Sequence, residues 1–97
     1  MKVTHKRVEE KAPPGVAGFE TDADYRYDAF SFDFGEERYH ARIFDSDRAS
    51  ADVMKKTSGP DNDACLVAIK EYLVNHAGVS IIETIDPKTG AFSEWPR

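Results

Sequence analysis

The sequence of 97 residues lacks the features of a disulfide-bonded, secreted or membrane protein. Its one cysteine, Cys65, cannot form an internal disulfide, which favours a reducing compartment. Residues 1–11 contain no apolar stretch of the kind found in a signal peptide, and no segment has the length of a transmembrane helix. We therefore expect a cytoplasmic protein that does not contact a membrane.

Motifs of the common enzyme, cofactor and metal sites are also missing. The sequence has no nucleophile elbow, glycine-rich phosphate loop, zinc-protease motif or paired cysteines. Glu20, Asp22 and Asp24 have the alternate spacing of calcium ligands, but Arg26 occupies the next alternate position, where a calcium loop needs Asp or Asn. We expect no metal, no cofactor and no catalytic residue.

The balance of charge narrows the choice of partner. The chain has a net charge of −5, although basic residues outnumber acidic ones in residues 1–11. An acidic protein lacks the basic footprint that the phosphates of duplex nucleic acid require, and an anionic membrane would repel it too. Nucleic acid is therefore an unfavoured partner, and protein is the favoured one.

The most informative stretch is the aromatic segment 25–44. Large apolar side chains recur there at every second position, which is the period of half-buried strands. Gly35 can adopt the positive φ that a two-residue type II′ turn requires. Such a turn sets Phe32 opposite Tyr39, so we predict a hairpin with one apolar face directed at the core.

A long helix is predicted over residues 60–77. Apolar residues recur there at helical spacing, Pro60 suits a first turn, and Gly78 suits a left-handed C-terminal cap. Cys65 falls on the apolar face of this helix and should be buried and unreactive. The polar segment 45–59 before the helix is predicted to be either a short helix over residues 48–56 or a loop.

The predicted fold is a single α+β domain. Strands are also predicted over residues 2–9, 79–85 and 91–95, which completes an antiparallel sheet of four to five strands in the order β-β-β-α-β-β, with the helix on one face. Residues 1–18 are interpreted as an N-terminal strand and a proline-rich linker, loosely attached to the domain. The predicted core consists of Phe30, Phe32, Tyr39, Ala41, Ile43, Leu66, Ile69, Leu73 and Ile81 or Ile82.

The second face of the hairpin is the candidate binding surface. The register sets Tyr27 opposite Phe44 and projects Arg38, His40 and Arg42 to the same side, and tyrosine beside arginine is typical of interface hot spots. A β-bulge near residues 28–30, which the phase of Tyr25 and Tyr27 favours, would return both tyrosines to the core. The candidate partner-binding residues are Tyr27, Arg38, His40, Arg42, Phe44 and Trp95.

These observations favour a small, non-enzymatic protein–protein interaction module of the inhibitor, immunity or adaptor type. The first alternative is single-stranded nucleic-acid binding on the aromatic and basic face. The second is an inhibitor whose carboxylates imitate nucleic-acid phosphates, namely Glu20, Asp22, Asp24, Asp45, Asp47 and Asp52. A small enzyme using His40 with Asp33 or Asp28 has only their proximity in its favour. Phe92 and Trp95 lie on opposite sides of the last strand, which leaves one of them open to a partner or to a homodimer contact.

Overall fold

A computed structural model describes residues 1–10, 25–86 and 88–96. Its strands form one six-stranded sheet in which spatial order follows chain order. The elements are β1 (Lys2–Glu10), β2 (Tyr25–Asp33), β3 (Arg38–Phe44), β4 (Ser50–Lys55), α1 (Asp63–Ala77), β5 (Ile81–Ile85) and β6 (Phe92–Trp95). Neighbouring strands are antiparallel except for β4 and β5, which are parallel because α1 is the crossover between them. The predicted α+β class with one helix is confirmed, but the described sheet has six strands rather than four or five.

The additional strand, β4, lies in the segment that was predicted to be a short helix or a loop. Ala51 and Val53 alternate with Asp52 and Met54, and only the first two are buried. Backbone pairing with β3 on one side and β5 on the other satisfies the strand's hydrogen bonds. Both predicted alternatives were wrong because the alternation is short and its apolar side chains are small, so most of the strand's stabilisation comes from its two neighbours.

The hairpin of β2 and β3 has the predicted register. Phe32 lies opposite Tyr39, and both side chains are buried. Gly35 occupies the turn at φ 98°, a conformation that a residue with a Cβ rarely adopts. The Phe34 N–H donates to the Glu37 carbonyl at 2.9 Å and closes the two-residue loop.

The bulge expected near residues 28–30 is absent, so the favoured interpretation of the tyrosines was wrong. Regular pairing between β2 and β3 continues to Tyr27 opposite Phe44. β1 also pairs with β2 along this stretch, so that hydrogen bonds on both edges keep β2 in phase. The side chain of Tyr27 consequently lies on the sheet face away from the helix, while the side chain of Tyr25 is outside the described parts of the chain.

Helix α1 begins and ends at recognisable capping residues. The Asn62 side chain accepts hydrogen bonds from the backbone N–H groups of Ala64 and Cys65, and Gly78 ends the helix in the left-handed conformation at φ 72°. The C-terminal end is as predicted. The helix starts three residues after the predicted position because Asn62, rather than Pro60, supplies the cap.

The core lies between α1 and one face of the sheet. At the N-terminal end of α1, the hydroxyl of the buried Tyr39 accepts a hydrogen bond from the backbone N–H of the cap residue Asn62 at 2.9 Å. All predicted core residues are buried, with Ile82 rather than Ile81 as the fully buried isoleucine. The buried apolar residues are Phe30, Phe32, Tyr39, Ala41, Ile43, Ala51, Val53, Cys65, Leu66, Ile69, Leu73, Val79 and Ile82.

Strand β1 forms one edge of the sheet and pairs with β2 at nine positions. The loose attachment predicted for residues 1–18 stays a prediction, since residues 11–24, including Glu20, Asp22 and Asp24, lie outside the described residues. In the described parts of the chain, no helix has both the length and the apolar character needed to cross a bilayer.

Candidate functional site

Side chains on a strand alternate between the two faces of a sheet, so each described strand also carries a second set of residues that points away from α1. No described helix or strand packs over this second face. We call it the open face. Its residues are Lys2, Thr4, Lys6 and Val8 on β1, Tyr27, Ala29, Ser31 and Asp33 on β2, Arg38, His40, Arg42 and Phe44 on β3, Ser50, Asp52 and Met54 on β4, Ile81, Glu83 and Ile85 on β5, and Phe92 and Glu94 on β6.

A groove of about 600 Å³ runs across β1 to β5 on the open face. Its floor is low over β2, where Ala29 and Ser31 have small side chains. Tyr27 stands at one end, and Met54 and Ile85 form an apolar wall. Mostly apolar clefts with a few charged groups are typical of binding sites.

Arg42 is held in place by two aromatic rings of the open face. Its guanidinium carbon lies 5.8 Å from the centre of the Tyr27 ring and 5.5 Å from that of Phe44. The two rings contact each other, with centroids 5.0 Å apart. Within the described parts of the chain, no carboxylate forms an ion pair with Arg42. The stacked guanidinium is therefore oriented, and no described carboxylate occupies its N–H groups, which can bond an external acceptor.

Asp52 lies directly across the strand pair from Arg42 and is half-buried. Burial raises the pKa of its carboxyl above the ordinary 3.8, the charge of Glu83 raises this pKa further, and the charge of Arg42 partly offsets both effects. Asp52 makes no hydrogen bond or ion pair within the described residues. A half-buried carboxylate without a direct partner is costly in the free chain and is favourable for a partner that brings a cation.

The surroundings of His40 favour its neutral form. Burial lowers its pKa below the ordinary 6.5, and the nearby charges of Lys56 and Arg38 lower it further. The ring lies between Ser31 on β2 and Met54 on β4. It can therefore donate or accept one hydrogen bond to a docked group without adding charge.

The structure brings five of the six predicted binding residues onto one surface. Tyr27, Arg38, His40, Arg42 and Phe44 all belong to the open face. Trp95 does not, because it packs against the core on the helix side and its indole N–H donates to Asp63 at 3.4 Å. The large aromatic that β6 exposes is Phe92, with 53% of its surface accessible.

Sequence reasoning considered Asp52 only as one of the carboxylates that could imitate phosphates, and it missed the acidic side of the open face. Asp52, Glu83 and Glu94 lie on three adjacent strands, opposite one another in the register. Two of these strands are joined by the helix, so no local spacing could place the three carboxylates in one row. The alternation of Ala51 and Val53 with Asp52 was the one signal that could have placed Asp52 on this face.

Of the two carboxylates proposed to act with His40, only Asp33 shares its face of the sheet, and within the described residues no hydrogen bond joins either carboxylate to His40. The side chain of Asp28 lies on the helix side, where it bonds His5 at 2.8 Å and Arg48 at 2.6 Å. Asp33 accepts a hydrogen bond from the Gly35 N–H at 2.7 Å.

The His5–Asp28 pair was not predicted, because Val3 and Val8 lie on opposite phases of β1 and left its pairing with β2 open. The same end of the sheet carries an ion-pair network in which Arg7 Nη1 donates to Asp45 at 2.8 Å. Asp45, one of the acidic residues considered for phosphate mimicry, is thereby neutralised within the chain.

In the parts of the chain that the structure describes, no group of three or more His, Cys, Asp or Glu side chains is arranged to hold a metal ion. Cys65 is buried, and burial raises the pKa of its thiol to about 11, helped by a hydrogen bond to the Glu37 carboxylate at 3.2 Å.

Comparisons with protein-family models, with curated proteins and with solved structures find no match to this chain.

Proposed function

We propose that this protein is a non-enzymatic interaction module that docks a second polypeptide chain on its open face. The observation that carries the proposal is the arrangement around Arg42, where an oriented guanidinium lies across one strand pair from the half-buried Asp52 carboxylate, which has no bonding partner among the described residues. A partner can form one ion pair with the guanidinium and another with the carboxylate. The groove beside them supplies apolar contact area.

The mixture of charges favours a protein over a nucleic acid as the docked molecule. Arg38, Arg42 and Lys6 could bind phosphates, but Asp52 and Glu83 face the same solvent and would repel them. A polypeptide can present both signs of charge within a few residues, whereas a nucleic-acid strand presents one.

The docking would proceed in two steps of different physical origin. Long-range attraction between opposite charges orients the encounter and sets its rate. Apolar contact in the groove and the two-point hydrogen bonds of the Arg42 guanidinium then determine how long the complex lasts. Arg42 is expected to be the anchor because the Tyr27 and Phe44 rings already restrict its motion.

A photo-crosslinking amino acid at Ser31, in the floor of the groove, tests the proposal. We expect crosslinks to protein, either to another copy or to a different chain, in a lysate of the native host. The same probe at Glu71, on the exposed side of α1, should give none. Arg42→Ala should weaken docking by about 2 kcal/mol or more in calorimetry with the crosslinked protein, whereas Lys70→Ala on the helix should have little effect.

Equal losses from Arg42→Ala and Lys70→Ala would contradict the assignment, as would crosslinks from Glu71 alone. Labelled single-stranded DNA at low salt provides the opposing test. Binding of that DNA that depends on Arg42 would replace protein with nucleic acid as the ligand of the open face.

A further inference from the structure

One row of residues on the open face changes its sign of charge near the middle of the sheet. Lys6 and Arg42 lie on the β1–β3 half, and Asp52, Glu83 and Glu94 lie on the β4–β6 half. Backbone pairing aligns these residues in one row that crosses all six strands. The row reads Lys6, Ala29, Arg42, Asp52, Glu83 and Glu94.

We propose that the polypeptide docked on the open face is a second copy of this chain, related by a two-fold axis that runs parallel to the strands between β3 and β4. This inference rests on the proposed function, since it names the partner of the same face. The rotation lays the β1–β3 half of one copy on the β4–β6 half of the other. Arg42 then lies opposite Asp52 of the second copy and Lys6 opposite its Glu94, and each contact occurs twice.

The shape of the open face is complementary to itself in the same arrangement. Ala29 and Ser31 leave the low floor over β2, whereas the other half of the face carries the half-buried Ile85 and the exposed Phe92 side by side. The rotation places β5 of the second copy over β2, so that its Ile85 enters the groove above Ser31. Two sheets stacked in this way lie about 10 Å apart.

Charge complementarity distinguishes a second copy from other occupants. A partner carrying a single sign of charge would be attracted by one half of the open face and repelled by the other. A second copy offers both halves in reversed order, so every charge of the row meets an opposite or a neutral residue. The Asp52 carboxylate, which has no bonding partner within the described part of its own chain, gains the oriented Arg42 of the other copy.

Analytical ultracentrifugation of the whole chain tests the inference directly. We expect wild-type protein to show the mass of two chains and to dissociate on dilution. Arg42→Glu and Asp52→Arg should each weaken self-association by about a hundredfold or more, because each places like charges opposite one another at two contacts. An equimolar mixture of the two variants should form a heterodimer, since the acidic row of one then faces the basic row of the other.

The matched controls are Lys70→Glu and Glu71→Arg on α1, which should dimerise like wild type. Circular dichroism of each variant separates loss of folding from loss of association. The inference is overturned if wild type stays monomeric at all concentrations, if its dimer tolerates Arg42→Glu, or if the mixed variants stay apart. A monomer that still crosslinks another protein from Ser31 would overturn the inference and leave the proposed function standing.

Discussion

Asp52 carries a charge that the single chain accommodates poorly. Burial and the charge of Glu83 raise the pKa of its carboxyl above 3.8, so the folded chain binds this proton more readily than the unfolded chain does. The group's contribution to the free energy of unfolding therefore decreases as pH rises through its pKa. A residue that destabilises the fold yet occupies the centre of the open face is typical of a binding site.

Asp52→Asn should raise the thermal midpoint of the single chain at neutral pH, because the amide removes the poorly solvated charge and keeps the shape of the side chain. Melting curves at low protein concentration measure this effect. At a pH low enough to protonate Asp52, wild type and variant should melt alike. A lower midpoint for the variant at neutral pH would show that the carboxylate has a stabilising partner within the chain.

At the scale of the element, α1 determines which face of the sheet is closed. Its buried residues Leu66, Ile69 and Leu73 meet the apolar residues of the sheet on one side only. Different interactions attach the edge strands β1 and β6 to the rest of the fold. Ionic contacts such as Arg7–Asp45 support β1, and Trp95 packs β6 onto the core.

Leu73→Ala should lower the free energy of unfolding by about 2 to 5 kcal/mol, because it removes a fully buried side chain and leaves a cavity between α1 and the sheet. Urea unfolding followed by circular dichroism measures the change. Val67→Ala, on a helix position that is 51% exposed, is the matched control and should have a much smaller effect. A midpoint that does not move for Leu73→Ala would mean that α1 does not pack on this core.

At the scale of the whole molecule, one core holds all the described elements together. The rate at which the Cys65 thiol reacts therefore measures how often this core unfolds. The thiol is 6% exposed, and its pKa of about 11 leaves little thiolate at neutral pH. We expect a thiol reagent to label Cys65 slowly in native buffer, at a rate that rises with denaturant as global unfolding does. A cysteine placed at exposed Ser58 in a Cys65→Ala chain should react at once, and equally rapid native labelling of Cys65 would contradict this picture.

The sequence alone determined the features that depend on neighbouring residues. Gly35 between two alternating runs was enough to predict the β2–β3 register, because a two-residue turn leaves no freedom in the pairing. Helical spacing and Gly78 likewise predicted α1 and its end, since caps and side-chain periodicity act within a few residues. Five of the six predicted binding residues share the open face because that register was right.

Tertiary structure decided what depends on strands distant in the chain. β4 is a strand because β3 and β5 pair with both of its edges, and β2 has no bulge because β1 supports its outer side. The row from Lys6 to Glu94 exists only after five strand pairings have aligned it. Backbone hydrogen bonds between strands do not depend on side-chain identity, so local sequence leaves these pairings open, and the burial of one shared core selects among them.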